Sequence, residues 1–301
     1  MRNTEWGGRI PPPVSDGPPP FRQGRLKWRN EKVNGYWVIR TYTAGSVGEK
    51  IKYWVSGQKP VRSKRRVSSE VNKLEKNEKQ SEKNLARILN VNFGKKGVLV
   101  GLDYSDAAYK KLFSECKSRE EIAEAAEHQL SLCLRRVQRE AKKRGIEVKA
   151  VLTTADRDGE TGEEVRVHHH IVVNEEAAEL FGKKWKHGKD VDYEYLTTQK
   201  DRTPLAHYLM GQYARVPNGK AYIATRNLER AKVVDRIAKN GSEIALPKNC
   251  ELLYRSAHVA GFSQYLRYRM LECGMTIPPP QAVPLPLGKG GFVECGVRDE
   301  E

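Results

Sequence analysis

Three of the seven histidines in this 301-residue chain are consecutive, in the run Val165-Arg166-Val167-His168-His169-His170-Ile171-Val172-Val173-Asn174. The β-branched residues on both sides make this run a strand, along which successive side chains point to opposite faces. His168 and His170 therefore share one face, and His169 takes the other. Two strand steps separate the pair by roughly 6 to 7 Å, close enough to hold one divalent ion between two neutral imidazoles if a third ligand is near. Histidines that merely line a half-exposed strand are the rival reading. It suits a lone histidine better than a His-x-His pair in a very basic protein.

The preceding strand supplies the expected third ligand. Glu147 to Thr154 reads as a strand and Asp156 to Glu164 as a turn rich in glycine and acid. With that turn centred near Glu160 to Gly162, Thr154 and Asp156 fall across from His168 with the parity to share its face. A carboxylate with two imidazoles makes a three-ligand site with open positions, suited to Mn²⁺ or Mg²⁺. Asp156 is thus the expected ligand, with Asp158 and Glu164 in reserve. An ion so held can polarise a phosphodiester and leave the protein to provide a nucleophile. The next helix, Thr203-Pro204-Leu205-Ala206-His207-Tyr208-Leu209-Met210-Gly211-Gln212-Tyr213, carries two phenols. Five positions apart is about 140° around a helix, so Tyr208 and Tyr213 cannot face the same site; Tyr208 lies on the side of Leu205 and Gln212.

These residues need a scaffold, and the flanking pattern provides one. Gly97 to Tyr104 reads as a buried strand, and a helix starts from the capping box Ser118-Arg119-Glu120-Glu121 and ends at Arg144-Gly145. After the two strands already named come a short helix around Ala177 to Trp185 and a strand at Val191 to Leu196. A helix then opens at Thr203 as N-cap with Pro204 in its first turn, running to about Ala214, before a last strand at Ala221 to Ala224. The order implies an α+β domain over 95–230, a mostly antiparallel sheet with helices on one face, of the split βαβ kind. Around it the sequence suggests a Pro-rich flexible arm (1–30), a basic extension with a hairpin and a charged helix (31–94), a helical extension (231–275) and a Pro/Gly-rich tail (276–301).

Lysine and arginine outnumber aspartate and glutamate 54 to 38, a net charge of +16 that favours a polyanionic partner, nucleic acid first. Arg62, Lys64, Arg65 and Arg66 in one basic run, and Arg215 and Lys220 after the tyrosine helix, are candidates for contact with a DNA backbone. No apolar stretch approaches the roughly 20 residues that span a bilayer, which argues against a membrane partner. The first residues lack the apolar core of a signal peptide, so a cytoplasmic protein is expected. Five scattered cysteines without CxxC spacing read as reduced thiols. No small-molecule substrate is called for.

Taken in order, Val98 to Ser105 (VLVGLDYS), His168-His169-His170 and the helix HYLMGQYAR resemble the three motifs of the HUH endonucleases, specifically the rolling-circle replication initiators of plasmids and filamentous-type phages. The likeness covers about residues 95–230. It implies a ferredoxin- or RRM-like core and a metal-assisted transesterification on single-stranded DNA at a replication origin. In that chemistry Tyr208 is the nucleophile, leaving a 5′-phosphotyrosine and a free 3′-hydroxyl, and His168 and His170 are metal ligands with Asp156 as third. Two departures stand out. His169 occupies a position that is normally bulky and apolar, and the usual lysine after the tyrosine is replaced by Gly211 and Gln212, so its role is lost or passes to Arg215 or Lys220. The tyrosine follows the histidines by 38 residues, the reverse of the order in conjugative relaxases. That order favours a replication initiator, or a related transposase, encoded by a plasmid, phage or other mobile element of a bacterial cell. No GxxxxGK[ST] is present, so unwinding and synthesis imply host helicase and polymerase as partners. Two rivals remain: a non-catalytic nucleic-acid-binding module that stacks bases on Tyr104 or Tyr222, and a metal-dependent hydrolase that forms no covalent adduct.

Overall fold

The computed structural model describes residues 35–56, 71–94, 96–159, 161–188, 190–196, 201–214, 219–238, 243–256 and 263–271. The expected arm and tail, and the basic run with Arg62, Lys64, Arg65 and Arg66, lie outside them, as does Arg215.

The central sheet is built from β3 (Gly97–Leu102), β4 (Ala150–Arg157), β5 (Glu164–Asn174), β6 (Val191–Tyr195) and the two-residue β7 (Ile223–Ala224), in the spatial order β6-β3-β5-β4-β7. All four pairings are antiparallel. Omitting the short β7, the order is that of the split βαβ motif, with β5 inserted between β3 and β4. The connections are α2 (Asp106–Phe113) and α3 (Arg119–Arg144) between β3 and β4, and α4 (Glu175–Lys184) between β5 and β6. Along α3 the buried positions are Ala123, Ala126, Leu130, Cys133, Val137 and Ala141, a stripe at helical spacing. The stripe and the apolar residues of α4 pack on Val98, Val100, Leu152, Ile171 and Val173. Acids in the first turn of α3, bases in its last turn and the left-handed Gly145 that closes it (φ 68°) are the expected helix ends. The Ser118 hydroxyl accepts from the Glu121 N–H as expected, but the Glu121 carboxylate accepts from the Lys117 N–H rather than closing a full capping box.

The fold is α+β with an antiparallel central sheet, as expected, but helices cover the opposite face of this sheet as well as the one face expected. Here α1 (Val71–Asn92) and α5 (Thr203–Gln212) bury Leu85, Leu89, Leu205 and Leu209 against Val151 and Val172. The reason lies in β5 itself: Ile171 and Val173 face α3 while Val172 faces α1, and a strand apolar on both sides needs cover on both.

A second five-stranded antiparallel sheet has the order β8-β1-β2-β10-β9. It joins the hairpin β1 (Gly35–Ala44) and β2 (Val47–Ser56) to β8 (Lys232–Ile237), β9 (Cys250–Arg255) and β10 (Ser263–Met270). The extension over 231–275 is therefore β-structure where a helical one was expected. Along β10 successive side chains alternate between faces, with Leu266 and Tyr268 on one and Tyr265 and Arg267 on the other. A lone hairpin also leaves two open edges, and β8 and β10 fill them.

The polar side of α1 docks this sheet. Arg87 donates two hydrogen bonds to Glu49 of β2 (3.0 and 2.7 Å), lies 3.6 Å from the centre of the Tyr42 ring, and shares Glu49 with the Tyr265 hydroxyl, which donates at 3.0 Å. Burial and the Glu49 carboxylate hold the Tyr265 phenol far above its usual range, so it stays a donor. The hairpin turn touches α1 as well: Gly45 is left-handed (φ 60°), and a Cβ there would come within 2.4 Å of the Asn90 carbonyl oxygen. Among the described residues no helix is long and apolar enough to cross a membrane.

Because Arg87 and Glu49 are 7% and 6% exposed, removing one strands the other without water. Arg87→Ala is expected to cost about 3–5 kcal/mol of stability, the range for breaking a buried ion pair. Urea denaturation measures it, and a loss below about 1 kcal/mol, the range of exposed pairs, would mean the pair is solvated and does not anchor the second sheet.

Candidate functional site

β5 places the three histidines as alternation requires. His168 and His170 face α5, their rings 4.8 Å apart and nearly perpendicular, with the two Nε2 atoms 3.1 Å from each other. His169 is fully buried on the α3 side, where the Tyr104 hydroxyl lies 2.8 Å from its Nε2 and the Thr154 hydroxyl 3.1 Å from its Nδ1. Burial pushes His169 down to about 3, with repulsion from His168 and His170 adding to it. It is a neutral, doubly satisfied anchor, wedged between the rings of Tyr104 and Trp185.

The tautomer of His168 follows from its partner. Its Nδ1 is 3.0 Å from the Arg166 carbonyl oxygen, which can only accept, so Nδ1 carries a proton and Nε2 is the nitrogen turned to the site. Burial and the neighbouring His168 push His170 down to about 4, so it is neutral, and its single ring proton lies on Nε2, toward an oxygen that can only accept. The third group at this point comes from α5: the Gln212 Oε1 lies 2.8 Å from the His170 Nε2. Three donor atoms thus sit with neighbour spacings of 3.1 and 2.8 Å. Both spacings are hydrogen-bond distances, and an ion taken up at this point would replace the Nε2 proton of His170. Thr153 adds a further polar group: it pairs across the strands with His170 on the same face, is 1% exposed, and its hydroxyl has no hydrogen-bond partner among the described residues.

Asp156 is not brought to the histidines. The register sets Ala155 opposite His168 and Thr154 opposite His169, and a bulge follows between Ala155 and Arg157. A shift of one residue reverses the face of a side chain, and the Asp156 carboxylate instead lies 3.4 Å from Arg119 at the start of α3. Arg119 also binds Glu164 at 2.8 Å, and Asp158 caps its own turn by accepting from the Thr161 N–H at 2.8 Å. Neither reserve acid joins the site, and among the described residues no group of three or more His, Cys, Asp or Glu is placed to hold a metal. Lys220 is exposed on the α3 side of the sheet, with Glu127 near it, away from the histidine pair.

Tyr208 stands beside the site. Its ring centre is 5.5 Å from that of His170, the residue is 41% exposed, and its hydroxyl has no hydrogen-bond partner among the described residues. Tyr213 is used otherwise: it ends α5 in extended conformation, bridges to Ala155, and its hydroxyl donates to Glu78 of α1 at 2.8 Å. The helix begins at Thr203, but Asp201 provides the cap, accepting from both the N–H (2.9 Å) and the hydroxyl (2.7 Å) of Thr203. Arg202 fixes the same end. Its buried guanidinium donates to the carbonyls of Phe93, Gly94 and Leu196, tying α5 to the end of α1 and the end of β6. On the other side, Gly159 of the β4–β5 turn packs against α5; a Cβ there would lie 2.4 Å from the Gln212 amide nitrogen and 3.2 Å from the Tyr208 ring.

Sequence reasoning missed Gln212, Thr153 and Gly159. The signal for Gln212 was present: four residues after Tyr208 on a helix, it must lie on the same face. Comparison of the chain with known protein families, curated proteins and solved structures gives no match.

The donor set predicts one Mn²⁺ site, measurable by isothermal titration in the absence of DNA. His168→Ala and Gln212→Ala should each weaken it at least about tenfold and Thr153→Val by a smaller factor, while Asp156→Asn should leave it unchanged. Unaltered binding by Gln212→Ala would remove the amide from the set, and a loss in Asp156→Asn would restore the carboxylate.

Proposed function

We propose that this protein is a DNA nickase and strand transferase that uses Tyr208 as nucleophile, in the manner of a rolling-circle replication initiator. The observation that carries the reading is the convergence of an exposed phenol with two imidazoles and an amide oxygen in a chain of net charge +16. A phosphate-binding protein needs no such arrangement merely to bind.

His168, His170 and Gln212 would hold a divalent ion, Mn²⁺ or Mg²⁺, whose chemistry when bound is to draw charge from the oxygens of a phosphodiester. The chain's own part is positional. Gln212 and Tyr208 are one helical turn apart on α5, so one of the groups that would hold the ion and the group that attacks are carried on the same helix. The Tyr208 oxygen attacks phosphorus and loses its proton to solvent, to which the side chain is open. The bond from phosphorus to the 3′ oxygen breaks, and that oxygen leaves with the electron pair and takes up a proton as a free 3′-hydroxyl. One phosphodiester is exchanged for another, so the 5′-phosphotyrosine keeps the bond energy needed for rejoining. A host polymerase would extend the 3′-hydroxyl and a host helicase would open the duplex. Because the Tyr213 hydroxyl is held by Glu78, a single-nucleophile enzyme is favoured over one with two tyrosines.

The test is incubation of the protein with circular single-stranded DNA and Mn²⁺, followed by a denaturing gel. A covalent protein–DNA species is expected with wild type and none with Tyr208→Phe, His168→Ala or His170→Ala. Tyr208→Phe should keep its affinity for the DNA, and His169→Ala should lose stability. An adduct in Tyr208→Phe would remove this residue as nucleophile, and cleavage with no adduct in wild type would make the enzyme a hydrolase.

A further inference from the structure

The second sheet sorts its charges by face. Strand register puts Tyr42, Glu49, Tyr265 and Arg267 toward α1, and leaves Trp37, Thr41, Lys50, Lys52, Trp54 and Arg236 on the far side. All three acids of the five strands, Glu49, Asp235 and Glu251, belong to the α1-facing set, and each is paired with an arginine: Arg87, Arg40 and Arg269. The strand arginines of that set are likewise matched, since Arg267 lies 3.6 Å from Asp201. By the same register the far face has no strand acid, yet it carries five strand cations, Lys50, Lys52, Lys232, Arg236 and Arg255.

Segment 243–249 crosses part of this face. Ile244 packs on Leu266 and Tyr268, Lys50 donates to the Ala245 carbonyl at 3.1 Å, and Glu243 lies near Lys52. Among the described residues the area left uncovered is the β8–β1 side, with exposed Lys232, Val234 and Arg236 beside the half-buried pair Trp37 and Trp54, whose rings meet edge to face at 5.4 Å. Alternation alone would distribute acids and bases over both faces. Their segregation pairs the strand acids with arginines on one face and leaves the other with cations alone among its strand charges, Lys232 and Arg236 exposed beside the indole rings. Cations follow a phosphate backbone, and aromatic rings stack with bases that are not already stacked in a duplex.

We propose that the far face of this sheet, along β8, β1 and the Trp37–Trp54 pair, is a binding surface for single-stranded DNA, separate from the histidine site. It rests on the distribution of charge and aromatic residues alone and needs no tyrosine chemistry. The test is fluorescence anisotropy of the full chain with a labelled oligo-dT in EDTA, which takes the metal site out of the measurement. The double variant Lys232→Glu/Arg236→Glu is compared with Lys142→Glu/Lys143→Glu, an equal charge change on the last turn of α3.

The expected result is at least about a tenfold loss of affinity for the β8 variant and a salt-dependence slope smaller by about 1.4, from roughly 0.7 for each lost contact to a single strand. The α3 variant should stay within about twofold. Equal losses in the two variants would reduce the effect to net charge and overturn the proposal, as would an unchanged β8 variant or competition by duplex DNA as effective as that by single strands. The covalent-adduct assay on wild type decides the tyrosine reading separately, because a protein that forms no adduct still yields this comparison.

Discussion

The register of β5 is the constraint on which the rest depends. This strand is apolar on both faces and sits at the middle of the central sheet, so a slip by one residue would drive His168 and His170 into the α3 core and turn His169 toward α5. His169 resists that slip. It is neutral, fully buried and bonded at both ring nitrogens, and a partner left behind by its removal would be a buried hydroxyl without water. A bulky apolar residue could fill the same space, but a histidine adds directional bonds to Tyr104 on β3's end and Thr154 on β4. Three strands are thereby locked at one level, and the face of the two flanking imidazoles is decided by the residue between them.

The second requirement is that α5 be placed to within a fraction of an ångström, since it carries both Tyr208 and Gln212. A ten-residue helix has little stability of its own. It is held by burial of Leu205 and Leu209, by the Arg202 guanidinium among three carbonyls, and by the α1 helix beside it. In turn α1 is clamped from the other side through Arg87 and Glu49. The two sheets are coupled through this helix, so the hairpin at the start of the chain and the strands near its end buttress a site to which they contribute no side chain.

Much of this was legible in the sequence, for reasons that also explain what was not. Alternation and helix periodicity are local rules, and they gave β3, β5, α3 and the opposite facing of His169 directly. Pairing register is not local. Whether Thr154 or Ala155 lies opposite His168 depends on a bulge after Ala155, and on Arg119, 37 residues earlier, attracting the Asp156 carboxylate. The second sheet was hidden for a similar reason: its strands are separated by most of the chain, and Lys232 to Ile237 is too short and too charged to read as a strand until β1 is known to need a partner. Gln212 was seen but not weighed, because an amide on a buried helix face carries no charge to mark it.

That absence of charge has a consequence of its own. Imidazoles and an amide bring no negative charge, whereas Asp156 in the third position would have cancelled one unit of a divalent ion's charge. An ion held by His168, His170 and Gln212 keeps its full charge for the phosphate, at the expense of weaker attraction to the protein. Imidazole nitrogen also suits Mn²⁺ better than Mg²⁺, which favours oxygen donors and parts reluctantly with water. On the proposed reading such a donor set in a strongly basic chain would give up affinity for the free ion and concentrate positive potential where a phosphodiester would bind. On the same reading the ion and the DNA would bind more tightly together than either alone, and Asp156 and Glu164 would be best kept where Arg119 holds them, away from the histidine pair.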